Sequence, residues 1–250
     1  MSGWDGYFES PVDMKLYVMH TGSVHMKGNI HFNRKSPAFK DMPEDKRFNP
    51  VFAYLVEHPD EGLVLLDAGL HGCFSEKPFG NFGPLLGRVV KAKAEKGMDA
   101  ASRLESLGHE PPDIRCVILS HLHLDHTSGL PAFKGAKLYA DEAELKMARS
   151  PLGMMDGYVK AHLADADLTA IKYGMVVDPF EHVCDFFGDG SLFVLKVEGH
   201  TKGNAAVLLN AAGGAMLTRC GLSGRSSGMR SISSTVVGAS RKSTSAPASA

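Results

Sequence analysis

Cysteine is scarce in this chain. Cys73, Cys116, Cys184 and Cys220 stand alone, and no C-x-x-C pair occurs. A zinc knuckle, a thioredoxin-type redox motif and a disulfide scaffold are therefore excluded. No apolar run approaches the ~20 residues that span a bilayer. The amino-terminal stretch MSGWDGYFESPVD lacks the basic-then-apolar order of a secretory signal, so the expected location is the cytoplasm. Net charge is almost absent: 27 basic and 28 acidic residues leave −1, no field with which to gather nucleic acid or an anionic membrane. The glycine-containing stretch at residues 80–87, GNFGPLLG, is not followed by G-K-[ST] and is no phosphate loop. What remains is ordinary globular composition: 250 residues, 44% hydrophobic and 22% charged, with no internal repeat.

The pattern along the chain predicts alternating strands and helices. Residues 15–19 (KLYVM) and 51–56 (VFAYLV) read as strands, and 63–66 (LVLL) follows after a short Pro/Gly turn, which predicts a hairpin. Residues 21–50 between the first two strands are polar, mixed in charge and punctuated by proline, and read as a long surface excursion. Met98, Ala101, Leu104 and Leu107 recur at spacing three before Gly108, which predicts a helix. Val117, Ile118 and Leu119 then form a buried strand, with Cys116 beside them as a small core residue. Residues 141–148 read as a helix with Asp141 as N-cap and Glu144 at capping-box spacing. Residues 192–197, 205–209 and 215–218 are further strands. The alternation argues an α/β layered domain. Residues 221–250 are dominated by Ser, Gly, Ala and basic residues, without a periodic apolar face. They read as a low-complexity, disordered tail.

One constellation carries chemistry. Residues 120–129 read S-H-L-H-L-D-H-T-S-G, placing His121, His123, Asp125 and His126 directly after an apolar strand. Residues two apart in an extended chain point to the same side, so His121 and His123 can grip one ion while Asp125 and His126 face a second. Imidazole with carboxylate suits Zn²⁺, and Mn²⁺ or Fe²⁺ less specifically. A second piece, E-G-H-T-K-G-N at residues 198–204, sets His200 between two strands with glycines that let the backbone approach an ion. Together with the first motif it makes His200 a third ligand for the first metal.

H-x-H-x-D-H followed by G-H-T-x-G, with the strand-end sequence Leu65-Leu66-Asp67-Ala68-Gly69 before them, resembles the metallo-β-lactamase superfamily. The likeness spans residues 15–218. The 21–50 excursion and the F-G-D-G segment at residues 187–190 look most like the N-acyl homoserine lactonase group. The resemblance implies an α/β fold, a four-layer αββα sandwich with two zinc ions at the sheet edge. It further implies that His121, His123 and His200 hold the first metal, and Asp125 and His126 the second. Asp67 is then either a residue orienting the metal loop or simply a turn residue at a strand end.

The departure from that family is as informative. Its pattern places a bridging carboxylate after the next strand and one more histidine beyond. Here the corresponding residues are Leu217-Thr218-Arg219-Cys220-Gly221, and no Asp or Glu follows Glu198 and no His follows His200. Composition changes at the same point, which a frame-shifted or truncated end would produce; the other reading makes Cys220 a soft ligand. The expected organisation is a hydrolase domain over residues 1–220, incomplete at its C-terminal end, followed by the tail 221–250. The expected function is a metallo-hydrolase in which metal-held hydroxide attacks a lactone or related acyl carbonyl, and Asp125 passes a proton to the leaving oxygen. The alternatives are a thioester hydrolase of the glyoxalase II type, or a catalytically impaired metal-binding domain. About one zinc per chain is expected instead of two. The expected partner is a small-molecule acyl substrate, not nucleic acid or membrane, since the basic tail has no aromatic residue to stack bases. Met154 and Met155 are candidates to line the acyl pocket; His20, His25 and His31 read as surface or pocket-rim residues.

Overall fold

The computed structural model describes residues 3–4, 6–27, 46–164 and 166–219. The strands form two stacked sheets. The first has seven strands: β1 (Lys15–Lys27), β2 (Lys46–His58), β3 (Gly62–Leu66), β4 (Lys91–Lys93), β5 (Ile114–Ile118), β6 (Lys137–Ala140) and β7 (Leu168–Ala170). Their spatial order is β4-β1-β2-β3-β5-β6-β7. The second has five: β8 (Met175–Val177), β9 (Phe180–Asp185), β10 (Leu192–Lys196), β11 (Ala205–Ala211) and β12 (Gly214–Arg219), in the order β12-β11-β10-β9-β8. Helices α1 (Gly83–Val89), α2 (Ala100–Ser106), α3 (Leu124–Thr127) and α4 (Glu142–Arg149) belong to the connections of the first half.

Period-two alternation explains the layering. Val64, Leu66, Cys116 and Ile118 point to one side and meet Leu192, Val194, Val207 and Leu209 in the inter-sheet core. Leu65, Val117 and Leu119 point the other way and pack with Leu104 of α2 and Leu145 of α4. β3, β5 and β6 are parallel and buried on both faces, which is why the apolar run at Cys116–Leu119 is continuous rather than alternating. The outer face of the second sheet presents Phe193, Leu195, Ala206 and Leu208, and the amino-terminal Trp4, Tyr7 and Phe8 pack against it. The fourth, helical layer is not among the described residues. No described helix is long and apolar enough to cross a membrane.

The hairpin of β2 and β3 forms as expected, with Leu55 opposite Leu65. The 21–50 excursion is shorter than expected. β1 continues to Lys27 and β2 begins at Lys46, paired from Lys15 opposite Glu57 to Lys27 opposite Lys46 across a bulge between His20 and Gly22. Polar residues are tolerated there because the ladder buries positions such as Val24 and Val51 and leaves others, Lys46 and Arg47 among them, exposed. His25 packs on Phe48 and His20 on Phe52 within this ladder. Residues 28–45, His31 among them, lie outside the described residues, as do Cys220 and the expected tail 221–250.

Candidate metal centre

The site is built where β3 and β5 end side by side. Leaving β3, Asp67 adopts a left-handed backbone conformation, φ 54°, and its N–H donates to the Ile118 carbonyl at 3.0 Å. That turns its carboxylate towards the segment leaving β5. Oδ1 accepts from the Ser120 backbone N–H (2.8 Å), and Oδ2 accepts from the Ser120 hydroxyl (2.7 Å) and from His126 Nδ1 (2.8 Å). Asp67 is thus both a turn residue and the residue that orients the histidine segment. With Nδ1 of His126 donating to a carboxylate, the ring must offer Nε2 to any metal. Ser120 Oγ also meets His121 Nδ1 at 3.1 Å, so Nε2 is the nitrogen this ring would offer as well.

The histidine segment is not all loop. His123 is the N-cap of α3, and Asp125 and His126 sit on its single turn, tied by the Leu124 N–H to the Gly157 carbonyl at 2.9 Å. Gly129 closes the segment against Ala68, whose carbonyl would stand 2.2 Å from any Cβ placed there. His200 arrives from the second sheet, in the connection between β10 and β11. The Ala205 N–H donates to the Ser120 carbonyl at 2.7 Å and locks the two loops together.

These elements bring every sequence-predicted ligand to one place. The ligand atoms of His121, His123 and His200 lie within 4.8 Å of one another, and those of His121, Asp125 and His126 do likewise. His123 Nδ1 stands 3.0 Å from His200 Nε2, near the ~3.3 Å between two nitrogens on one tetrahedral zinc with ~2.0–2.1 Å bonds. His121 belongs to both groups, its ring 4.1 Å from that of His126 and 4.8 Å from that of His200. Burial holds His123 below the ordinary histidine pKa, against the pull of Asp125, so its neutral, ligating form is favoured. Burial pushes the Asp125 carboxyl up, but His126, His123 and a backbone hydrogen bond outweigh it and hold the group below the usual carboxylate range. Four imidazoles and an ionised carboxylate are a donor set that suits zinc.

A cleft of about 580 Å³ opens over His123 and His200, walled by Met147, Asp156, Tyr158 and Lys202 among others. Met154 and Met155 do not form its wall. They are 46% and 81% exposed on a short turn that ends in left-handed Gly157. The F-G-D-G segment lies at the end of β10 opposite the His200 loop. There Asp189 Oδ1 accepts from the Ser191 N–H and hydroxyl, and Asp189 Oδ2 lies 3.3 Å from His58 Nε2, so its role is in joining the sheets. Two residues escaped the sequence reading. Glu144 does not complete a capping box: Asp141 Oδ1 accepts from the Ala143 N–H, while Glu144 turns inwards to three other donors. One of those donors is the hydroxyl of buried Tyr158, whose ring stands edge-on to His123 at 5.0 Å. Nothing in the local sequence of either residue marks the contact.

Two stacked sheets with this histidine–aspartate cluster at their shared edge define a metallo-hydrolase scaffold, and the chain belongs to the metallo-beta-lactamase superfamily, whose profile matches residues 47–215. Among its relatives is the N-acyl homoserine lactonase AttM of Rhizobium johnstonii, 29% identical over 199 residues that cover 79% of this chain and 71% of that protein. A probable metallo-hydrolase of Mycobacterium tuberculosis is 30% identical over 176 residues, covering 67% of this chain and 54% of its own. The fold is shared with an N-acyl homoserine lactone hydrolase solved with N-hexanoyl-L-homoserine at its catalytic metal centre. That structure has a TM-score of 0.62 at 22% identity, covering 83% of this chain and 75% of the other.

Proposed function

We propose that this protein is a metal-dependent hydrolase that opens a lactone of the N-acyl homoserine type. The observation that carries the proposal is the convergence of His121, His123 and His200 beside Asp125 and His126, from loops of two different sheets. His121, His123 and His200 would hold the first zinc; Asp125 and His126 would face a second. A bound zinc supplies a Lewis acid for the carbonyl oxygen and lowers the pKa of water towards ~7. The chain's own part is positional and acid–base. Asp125, buried and ionised at the metal edge, accepts a proton from the attacking water and returns it to the leaving oxygen. Asp67 holds His126 in one tautomer, and the cleft beside Tyr158 and Lys202 receives the acyl substrate. The lactonases among the relatives support the substrate class.

A second reading, an impaired metal-binding domain, is favoured by one observation: residues 199–250 contain no carboxylate to bridge two ions and no histidine beyond His200. Both readings agree on about one tightly held zinc per chain. Metal analysis of the purified protein, followed by proton release from N-hexanoyl homoserine lactone and cleavage of a glutathione thioester, separates them. The expected result is one zinc, slow lactone opening and weaker thioester cleavage, all lost in His121→Ala. Two tightly held metals with fast turnover would mean that another group completes the second site, and no lactone opening at all would leave the impaired reading.

A further inference from the structure

Glu144 is 1% exposed, and a carboxylate that deep is costly unless its oxygens are hydrogen-bonded. Its donors are distributed in a particular way. Oε2 accepts from the Leu122 backbone N–H (2.9 Å) and from the Tyr158 hydroxyl (2.9 Å); Oε1 accepts from the Gly203 backbone N–H (3.1 Å). Leu122 lies between His121 and His123, and Gly203 is three residues beyond His200. One rigid carboxylate, presented from the first turn of α4, therefore grips both loops that bear the three imidazoles. The approach is close enough to require glycine at 203: a Cβ there would stand 2.7 Å from Asp141 Oδ1 and 2.8 Å from Glu144 Cγ. Burial and the adjacent Glu144 carboxylate push the Tyr158 phenol well above its ordinary pKa, so Tyr158 stays a donor while its ring buttresses His123.

We propose that Glu144 is a positioning residue, fixing the distance between the His121–His123 loop and the His200 loop and thereby the affinity and geometry of the first metal. The inference rests on the metal reading above and deepens it. Asp67 sets the orientation of the rings within one loop; Glu144 sets the separation of two.

The test is metal binding, not turnover. Glu144→Gln keeps the shape but puts an NH₂ where an acceptor is needed, so an amide or the phenol faces a donor instead of an acceptor. Zinc affinity by chelator competition is expected to fall about 10–100-fold, and the visible spectrum of the Co²⁺-loaded variant is expected to shift at saturation. A variant that was only less stable would bind with the wild-type spectrum once folded. Gly203→Ala, which leaves the carboxylate intact but forces the loop away from it, is expected to show the same two changes and carries the test if Glu144→Gln fails to fold. Unchanged affinity and spectrum in the folded variant would overturn the role of Glu144 alone. A wild-type protein that takes up neither zinc nor cobalt would overturn the metal reading and this inference with it.

Discussion

Asp67 is a residue whose backbone and side chain are both committed. Asparagine tolerates the left-handed conformation at least as well as aspartate, so Asp67→Asn keeps the turn and changes only the chemistry. The amide presents a donor where Ser120 and His126 now donate. Zinc affinity is expected to fall about 10–100-fold with little change in melting temperature, measured by chelator competition alongside a thermal scan. A matching drop in stability would mean that Asp67 serves the turn and not the histidines. His162 behaves differently. It is buried, with Nε2 donating to the Asn81 carbonyl at 3.1 Å and Nδ1 meeting the Thr127 hydroxyl at 2.9 Å. Burial lowers its pKa to about 4 from the ordinary 6.5. The unfolded chain therefore binds a proton between those values that the folded chain does not. The stability held by the neutral ring is complete above pH 6.5 and is lost as pH falls towards 4, by up to about 3 kcal/mol. Urea midpoints of wild type and His162→Gln, compared at pH 7 and pH 4.5, are expected to show the steeper acid loss in the wild type. Parallel losses would exclude His162 as the source.

At the scale of elements, the single turn of α3 is the decisive piece. Four residues cannot make a stable helix alone; α3 persists because it is clamped at both ends, the Leu124 N–H donating to the Gly157 carbonyl and the Gly129 N–H to the Gly69 carbonyl, while the Ala68 N–H donates to the His126 carbonyl. Gly129→Ala would set a methyl 2.2 Å from the Ala68 carbonyl, and the expected cost is more than about 2 kcal/mol, with loss of metal affinity as α3 moves away. A thermal melt unchanged from wild type would show that the segment relaxes without effect. The neighbouring turn at Gly153–Asp156 gives the opposite expectation. Met154→Ser with Met155→Ser removes two exposed side chains, and KM for long and short acyl lactones should both be unaffected. A selective rise for long chains would place those residues over the substrate after all.

For the whole molecule, the candidate metal site lies between loops of the two sheets. His121 and His123 follow β5 of the first, while His200 precedes β11 of the second. An ion held by all three would staple the layers, and binding to the folded state alone stabilises by about 2.7 kcal/mol at 100 times the dissociation constant. Added zinc is expected to raise the melting temperature, with EDTA reversing it. A melting temperature indifferent to zinc would show that the imidazoles converge without holding an ion tightly.

Local pattern was enough for much of this protein. Short β-prone apolar runs and turn signals marked the β2–β3 hairpin, the buried strand around 117–119 and the β10–β11–β12 run, because run length and turn chemistry are properties of neighbouring residues. The five ligand candidates were legible for the same reason, four of them within six residues and the fifth between glycines. The 21–50 segment was misread because only alternate positions of a half-exposed ladder need to be apolar, and its polar residues hid the extension of β1 and β2. Glu144 and Tyr158 were invisible for a different reason. A capping box and a buried clamp use the same residue at the same spacing, and only the arrival of Leu122 and Gly203, 22 and 59 residues distant, decides between them. Neighbouring residues alone mark which side chains could hold a metal; the stacking of two sheets decides how far apart they stand, and the Glu144 carboxylate and Gly203, through which we propose that distance is set, find their partners elsewhere in the chain.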